Sequence, residues 1–289
     1  MRISNQMLLQ DALRNLQGNL ESLYRAERQA ATGRRIQTAS DDPADASRIA
    51  RISAHLRDID QYRRNSASAN IRLSAEDAVL TSVRDLLDQA KKVALGLEEP
   101  EVSESAMQGA LTALAQIREH LISLGNTRLG NEYLFGGAKT EEPPFLADGT
   151  YVGDQTVRRM EIDQGLLLET NHTGDEAIAE AVKAVEDLLD GLEGGGNRDG
   201  LASSASEIEG AQRRVLTAQT ELGVRLGQLK DVQDHLARRS LDLTDQRDAL
   251  RDADPAEAIL NLMTSQQAME RAYEVVGRVA SMNIINYLR

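Results

Sequence analysis

The chain has no cysteine, no tryptophan and only two phenylalanines among its 289 residues. Without cysteine it has no disulfide and no thiolate metal site. Aromatic residues make up only 3% of the sequence, whereas a compact enzyme of this size normally fills its interior with more large rings. Alanine, leucine, glutamine, arginine and aspartate dominate instead, and this composition favours long helices that pack through small contacts.

Positive charge and long apolar runs are also scarce. The 33 basic and 46 acidic residues give a net charge of -13, which argues against nucleic acid as a partner because no basic tract can replace counterions on phosphates. No run of 18 apolar residues occurs, so we expect no membrane insertion. The first ten residues, MRISNQMLLQ, lack the features of a cleaved secretory signal. We therefore expect a cytoplasmic protein, or one that is exported without a cleaved signal peptide.

Motifs for catalysis and ligand binding are missing as well. The sequence contains no HExxH, GxSxG, GxxxxGK[ST] or GxGxxG. Three of its histidines, His55, His120 and His235, lie beside charged residues in predicted helices and are interpreted as solvated, and His172 stands apart from them. The sequence thus predicts no catalytic, cofactor-binding or metal site, and a protein that is not an enzyme.

What the sequence does contain is an apolar stripe at each end. Residues three and four apart form a stripe along one face of a helix, the pattern of a helix that needs a partner helix. The stripe near the N-terminus consists of Leu9, Leu13, Leu16, Leu20 and Leu23, and the one near the C-terminus consists of Ile259, Leu262, Met269, Tyr273 and Val276. We predict that the two terminal helices form one coiled coil.

Such a helix pair has little stability of its own. Burying five leucines contributes roughly 1.5 to 3 kcal/mol each, whereas ordering some thirty residues costs on the order of 1 to 2 kcal/mol per residue in backbone entropy. Apolar edges of a two-helix pair are usually covered by neighbouring molecules. We therefore interpret the two stripes as assembly surfaces, and expect termini that are frayed in the monomer and ordered in an assembly.

Between the termini, local signals divide the chain into segments. Gly33 suits the end of a first helix, and Asp42 followed by Pro43 suits the start of the next; we interpret Asp41 and Asp42 as helix-capping rather than metal-binding residues. Glycines, prolines and short apolar runs indicate a small β-rich insertion. The predicted segments are 1–40 (N-terminal helix of an inner terminal domain), 41–130 (first half of a helical rod), 131–173 (β-rich insertion), 174–252 (second half of the rod) and 253–289 (C-terminal helix of the inner domain).

Two further features leave alternatives open. Gly223 and Gly227, four apart in a predicted helix, either let another helix approach closely or are merely tolerated. Paired arginines recur at positions 34–35, 63–64, 158–159, 213–214 and 238–239. They are either solvated or bound to acidic residues of neighbouring subunits, as charges beside coiled-coil seams are.

The stretch from Ala31 to Leu80 resembles the N-terminal region of the flagellin superfamily. It contains ATGRRIQTASDDPADASR, in which a Thr-Gly turn and a Ser-Asp-Asp cap precede a long helix, and the run from Pro255 to Arg289 resembles the terminal helix of that superfamily. The resemblance implies a mainly α fold: an elongated flagellin-like helical rod with coiled-coil N- and C-terminal helices and a small β-rich insertion.

Within the superfamily, three features resemble the hook-associated branch that joins hook and filament. They are Pro43 after two aspartates, the segment GNTRLGNEYLFGGAKTEEPPF at 125–145, and TELGVRLGQL at 220–229. This resemblance implies an extracellular axial protein, secreted by the flagellar type III apparatus and assembled into a ring. It implies the first hook-associated protein, flagellin and a cytoplasmic export chaperone as partners. That chaperone would cover Ile259, Leu262, Met269, Tyr273 and Val276.

Two alternatives share the helical features of this sequence. A filament flagellin with a short outer domain would differ from a junction protein mainly in the region of residues 125–145 and in the protein that is assembled on top of it. A cytoplasmic coiled-coil scaffold would keep its terminal helices folded as a stable dimer, so both ends would resist proteolysis. An axial protein would lose them to the protease.

Overall fold

The structure is a computed structural model that describes residues 5–97, 103–193 and 198–287. The helices are α1 (Asn5–Thr32), α2 (Pro43–Gly96), α3 (Glu104–Gly125), α4 (Glu180–Glu193), α5 (Arg198–Arg251) and α6 (Pro255–Tyr287). The strands are β1 (Arg128–Leu129), β2 (Glu132–Tyr133), β3 (Arg159–Asp163) and β4 (Leu166–Glu169), and a π-helical turn, Asp175–Ala179, leads into α4. The expected fold class, mainly α with a small β-rich insertion, is confirmed.

Two of the helices start where an aspartate precedes a proline. The Asp42 carboxylate accepts hydrogen bonds from the backbone N–H groups two and three residues further on, both at 3.1 Å, and α2 begins at Pro43. Asp254 does the same at 2.8 and 3.4 Å before Pro255, where α6 begins. The first backbone N–H groups of a helix have no hydrogen-bond partner within the helix. Proline suits the first helical position because it has no backbone N–H group. This capping, which the sequence predicted for Asp42, is confirmed.

Contacts divide the chain into two compact units. The first, called the terminal unit below, comprises residues 1–58 and 239–289; the second, called the central unit, comprises residues 59–238. Both divisions fall inside long helices, α2 and α5. The segment boundaries that the sequence predicted after residues 40 and 252 lie in the connections between helices, and the predicted division itself stays a prediction.

The central unit contains an extensive apolar core. Residues three and four apart on α2, α3, α4 and α5 point into it, as the helical repeat requires. Fully buried members include Leu73, Leu80, Leu87, Leu114, Leu121, Leu188 and Ile208. Strand and loop residues join the same core, namely Leu134, Phe135, Phe145, Ile162 and Leu168. The β-rich insertion therefore folds as part of the central unit, because it shares one core with the helices.

Phe145 anchors the insertion to the end of α3. Its ring lies so close to the backbone at Gly125 and Gly174 that a Cβ at these positions would come within 2.5 and 2.8 Å of it. The ring of Tyr151 packs against it with centroids 5.3 Å apart. Glycine at positions 125 and 174 thus makes room for one of the two phenylalanines of the chain.

The strands form two separate antiparallel pairs. Arg128 lies opposite Tyr133 in the β1–β2 pair, and β3 pairs with β4 with a register shift between Glu161 and Asp163. Gly130 and Gly165, which lie in the two connecting turns, have positive φ angles of 63° and 73°. None of the helices in the described ranges is long and apolar enough to cross a membrane.

Candidate functional site

The terminal unit contains an antiparallel helix pair formed by α1 and α6. Just beyond α1, the carbonyl of Gly33 accepts a hydrogen bond from the N–H of Ala253 at 2.9 Å. Further along, the Asn19 side chain donates to the carbonyl of Ala268 at 3.4 Å. Residue numbers fall along α6 as they rise along α1, so the two helices run in opposite directions.

Most of the buried side chains on these two helices are small. Among residues whose side chains are described, the buried ones on the pair are Ala12, Ala26, Ala258 and Met269. Larger residues beside them, namely Leu9, Leu16, Leu20, Leu23, Leu262 and Val276, are only partly buried. Two helices without a third layer cannot enclose a leucine on all sides, so the pair has a shallow core.

The predicted stripe residues divide into two groups. Met269 is buried, and Leu9, Leu16, Leu20, Leu23, Leu262 and Val276 are partly buried against the partner helix. The other three, Leu13, Ile259 and Tyr273, are 44%, 57% and 58% exposed. The predicted stripes therefore contain two kinds of residue. Some are buried or partly buried in the folded chain, and the others are exposed. Whether either group serves in assembly stays a prediction.

Exposed apolar side chains are frequent on this helix pair. Besides the three just named, they are Met7, Leu8, Tyr24, Leu260, Met263 and Val275. Single exposed hydrophobic residues are normal on a soluble protein, but a contiguous group of them marks a binding surface. The number of exposed apolar side chains favours a binding surface on this helix pair, which stays a prediction.

A polar turn connects α1 to α2 and contacts the end of α5. Gly33, with φ of 66°, ends α1, and its N–H donates to the carbonyl of Gln29 at 2.9 Å. The Arg35 guanidinium reaches Asp45 at 2.7 Å and the carbonyl of Leu250 at 3.0 Å. One arginine thereby joins the start of α2 to the end of α5.

Asp41 organises the same turn from the other side. Its carboxylate accepts hydrogen bonds from the N–H groups of Gln37 and Thr38 at 3.0 and 2.9 Å, and these bonds, that of Thr38 first, hold its pKa below the usual range. The backbone N–H of Asp45 and the guanidinium of Arg35 likewise lower the pKa of Asp42. Asp42 therefore caps α2, as the sequence predicted. The prediction that Asp41 also caps a helix is wrong, because its carboxylate binds the backbone of the turn before α2.

A buried charged cluster lies in the central unit, and sequence reasoning missed it. Glu76 on α2 is fully buried, and its carboxylate accepts from the backbone N–H of His172 at 3.3 Å and contacts the Nδ1 atom of the same residue at 3.3 Å. The Nε2 atom of His172 lies 3.2 Å from Glu221 on α5. Arg225, one turn further on α5, donates to the carbonyl of Asn171 at 3.3 Å. The cluster joins the segment after β4 to two helices.

Burial and mutual contact shift both titrating groups of this cluster. Burial raises the pKa of Glu76, only partly opposed by the nearby His172. For His172, burial by itself lowers the pKa, but the hydrogen bond and charge of Glu76 outweigh it, so the pKa is raised. In the folded chain the pair therefore retains a proton more readily than the two separate side chains would.

A second buried cation fixes the β1–β2 hairpin. Arg72 on α2 is 8% exposed, donates to the carbonyl of Leu134 at 2.9 Å and pairs with Glu132 at 3.3 Å. Burial lowers its pKa. Glu132 also accepts a short hydrogen bond of 2.5 Å from Arg158. Arg72 and these partners are at least 60 positions apart in the sequence. A local sequence pattern therefore could not reveal the contacts.

The remaining histidines lie on the surface. His55, His120 and His235 are exposed, in agreement with the sequence interpretation. Across the described ranges, no group of three or more histidine, aspartate or glutamate side chains has a geometry that could hold a metal ion.

The paired arginines do not behave alike. Arg35, Arg158, Arg159 and Arg214 form ion pairs within the chain. Gly223 and Gly227 are exposed, and a Cβ at either position would meet nothing within 4 Å among the described residues. Both alternatives for the glycines therefore remain open, and contacts of arginines to neighbouring subunits stay a prediction.

Comparison with known proteins places the two ends of the chain in one family. The bacterial flagellin N-terminal helical region matches residues 3–140, and the bacterial flagellin C-terminal helical region matches residues 205–288. The first match contains α1, the connecting turn and α2, and the second contains most of α5 and α6.

A curated relative aligns along nearly the whole chain, and solved structures match about three quarters of it. Flagellar hook-associated protein 3 of Escherichia coli K12 is 26% identical over 312 residues, which cover 98% of both chains. The structure of a putative flagellar hook-associated protein from Vibrio parahaemolyticus has a TM-score of 0.67 at 23% identity and covers 73% of this chain and 99% of that one.

The flagellar junction protein FlgL from Legionella pneumophila shares the fold at lower identity. Its TM-score is 0.57 at 15% identity, with 72% of this chain and 100% of that one covered. With both terminal helical regions matched and relatives that align from end to end, the chain belongs to the bacterial flagellin family.

Proposed function

We propose that this protein is a structural component of the bacterial flagellum that forms the junction between hook and filament. The observation that carries the proposal is the helix pair of α1 and α6, which leaves Leu13, Tyr24, Ile259 and Tyr273 uncovered. Such a surface suits a subunit that is completed by its neighbours. The role is structural and not enzymatic, and it makes the protein necessary for filament attachment and motility.

We prefer the junction role to that of a filament flagellin because the curated relatives are hook-associated proteins. The chain aligns with hook-associated protein 3 of Escherichia coli over 98% of both lengths. We therefore propose a ring of copies of this chain, with the first hook-associated protein on one side and flagellin on the other. The chain reaches this place through the flagellar type III export apparatus, without a cleaved signal peptide.

Immunogold electron microscopy on cells of the source organism tests this location. The antibody is raised against residues 130–173, most of which form the β-rich insertion. We expect gold at one spot, where the curved hook meets the filament. Gold along the whole filament would make the protein a flagellin, and the absence of surface labelling would favour a cytoplasmic scaffold.

We also propose that an export chaperone covers α6 before assembly. Its expected contacts are Ile259, Leu262, Met269, Tyr273 and Val276. Since Met269 is buried and Leu262 and Val276 are partly buried in the folded helix pair, a chaperone that contacts them requires α6 to be separated from α1. Chaperone binding and folding of the terminal unit would then exclude each other.

Deletion of residues 255–289 tests the chaperone site. Pull-down of the chaperone from cells should succeed with the full chain and fail with the truncated one. A substitution such as Glu209→Gln in the central unit serves as a matched control and should leave binding intact. Retained binding to the truncated chain would place the chaperone site elsewhere.

A further inference from the structure

Four arginines surround a small cavity of the terminal unit. Arg25 and Arg28 lie near the end of α1, and Arg34 and Arg35 lie in the turn that follows. The other residues that line the cavity are Gln29, Gln37 and Asp41. The whole chain has a net charge of -13, so four guanidinium groups around one cavity are a local reversal of its charge.

Helical spacing and backbone bonds bring these arginines together. Residues three apart lie on the same face of a helix, so Arg25 and Arg28 lie on one side of α1. Beyond the helix, the backbone of Arg34 forms an antiparallel bridge with Asp252. The N–H of Arg35 donates to the carbonyl of Arg251 at 2.7 Å. Backbone bonds therefore set the position of the turn, and they do not use the guanidinium of Arg34.

Two of the four guanidinium groups face a carboxylate of the chain. Arg35 pairs with Asp45 at 2.7 Å, and this ion pair neutralises its charge. Arg28 lies 3.9 Å from Asp41, a separation at which no hydrogen bond forms. The Asp41 carboxylate is instead bound by backbone N–H groups of its own turn. The N–H groups of the Arg28 guanidinium therefore remain available to a ligand.

The other two guanidinium groups have no carboxylate partner. Among the residues that the structure describes, no carboxylate lies within 4 Å of Arg25 or Arg34. The pKa of Asp248 is lowered first by its hydrogen bond to Arg247 and also by the charge of Arg34. The Asp248 carboxylate, however, is bound by Arg247 and Arg251 at 3.0 and 2.9 Å. Like charges held together repel each other, and a multiply charged anion would relieve this repulsion.

The cavity sets the size and chemistry of such an anion. Its volume is about 200 Å³, which holds roughly seven water molecules at about 30 Å³ each and is less than the roughly 300 to 1,000 Å³ of sites for larger organic ligands. Guanidinium groups donate paired N–H groups in one plane, an arrangement that matches two oxygens of a phosphate group. The nearby helix carbonyls compete little for these donors, because that of Gln29 accepts from Gly33 and that of Arg28 accepts from Gln37.

We propose that the cavity at the end of α1 binds a small oxyanion with two negative charges, of the phosphate or sulfate type, through Arg25, Arg28 and Arg34. A free phosphate ion and the head group of a phospholipid share this chemistry. The bound anion joins α1 to the turn that also contacts the end of α5, so it stabilises the folded terminal unit. The proposal does not rest on the junction role.

Isothermal titration calorimetry of the full chain with inorganic phosphate, at constant ionic strength, tests the proposal. A double variant, Arg25→Gln with Arg34→Gln, removes the two guanidinium groups that have no carboxylate partner. Arg63→Gln with Arg64→Gln on α2 removes the same charge elsewhere and is the matched control. We expect the dissociation constant to rise at least about tenfold in the cavity variant and to stay within about twofold in the control. Circular dichroism should show equal helix content in both variants, since all four arginines are exposed.

Hydrogen exchange on the unmodified chain gives a readout that needs no variant. Compared with sodium chloride of equal ionic strength, phosphate at about ten times its dissociation constant should slow amide exchange in residues 25–41 about tenfold. Exchange in α3, which belongs to the central unit, should stay the same.

Cosedimentation with phosphatidylcholine vesicles that contain phosphatidic acid distinguishes the two sources of a phosphate group. Binding of free phosphate or of these vesicles supports the site if the cavity variant loses it and the control keeps it, and the source that binds is thereby identified. The proposal is overturned if neither source binds or if the cavity variant keeps the binding. Equal loss in both double variants also overturns it, because the effect is then one of overall charge.

Discussion

The central and terminal units bury different kinds of side chain. In the central unit Leu80, Leu114 and Phe145 are buried to 2% exposure or less. In the helix pair of the terminal unit, alanines are buried while Leu13, Ile259 and Tyr273 remain about half exposed. Burial of a large apolar side chain contributes about 1.5 to 3 kcal/mol, and alanine contributes far less. The central unit therefore gains far more stabilisation from apolar burial than the helix pair does, and the dependence of the pair on an assembly stays a prediction.

Hydrogen exchange should show the largest difference between the two units. We expect backbone amides of α3 and the adjoining part of α2 in the isolated chain to exchange at least about a thousandfold more slowly than those of α1 and α6. The reason is that the central helices open only with the whole core, while the terminal ones open locally. Mass spectrometry of proteolytic fragments measures the rates. Equal protection in both units would contradict the comparison and favour a stable cytoplasmic dimer.

Matched leucine substitutions should have the next largest effect. Leu80→Ala removes a fully buried side chain and should cost about 2 to 5 kcal/mol of unfolding free energy. Leu16→Ala removes a partly buried side chain from the helix pair and should cost less than about 1 kcal/mol in the isolated chain. Denaturant unfolding followed by circular dichroism gives both values. A large cost at Leu16 would mean that the helix pair stabilises itself.

The Glu76–His172 pair should make the central unit sensitive to pH. Both pKa values are raised in the folded chain, so the folded state binds more protons than the unfolded one. Stability must then fall as pH rises through and beyond the usual His value of about 6.5. We therefore expect the Tm to fall as the pH is raised above about 6.5.

Glu76→Gln tests this directly. The amide cannot ionise, so the Tm of this variant should vary less with pH over the same range. Glu209→Gln, which removes an exposed partner of Lys91, is the control and should retain the slope of the unmodified protein. Equal slopes for all three proteins would show that the buried pair does not couple folding to protons.

Two glycine substitutions should have the smallest effects, of opposite sign. Gly33→Ala places a side chain at φ of 66° and should destabilise the turn after α1 by about 1 kcal/mol. Gly18→Ala, inside α1 and with open space around it, should stabilise that helix by about 0.5 to 1 kcal/mol. Hydrogen exchange in α1 measures both changes. A Gly33 variant as protected as the unmodified chain would argue against the strained turn.

Element boundaries were predictable because their signals are local. Asp42 with Pro43, Asp254 with Pro255, and Gly33 each specify a helix end through bonds to residues a few positions away. The family was predictable for the same reason, since its motifs are continuous in the sequence. Mainly α structure with a small β-rich insertion followed from composition and periodicity.

The face on which each terminal helix packs was less accessible. A 3,4 pattern includes Ile259 and Tyr273, yet the chain places Ala258 against its partner helix and leaves the other two exposed. Two adjacent stripes differ by one residue step, and small side chains are preferred where two helices approach closely. Periodicity finds apolar residues but does not say which of two neighbouring stripes a partner covers.

Long-range polar contacts were outside the reach of the sequence. His172 meets Glu76 across 96 positions, and Arg72 meets the carbonyl of Leu134 across 62. Helix ends follow from interactions between residues close together in the chain, and the family follows from continuous motifs, so the sequence by itself determined both. The buried charge cluster and the shared core of the insertion arise only when distant segments fold against each other, because burial and pairing are properties of that packing.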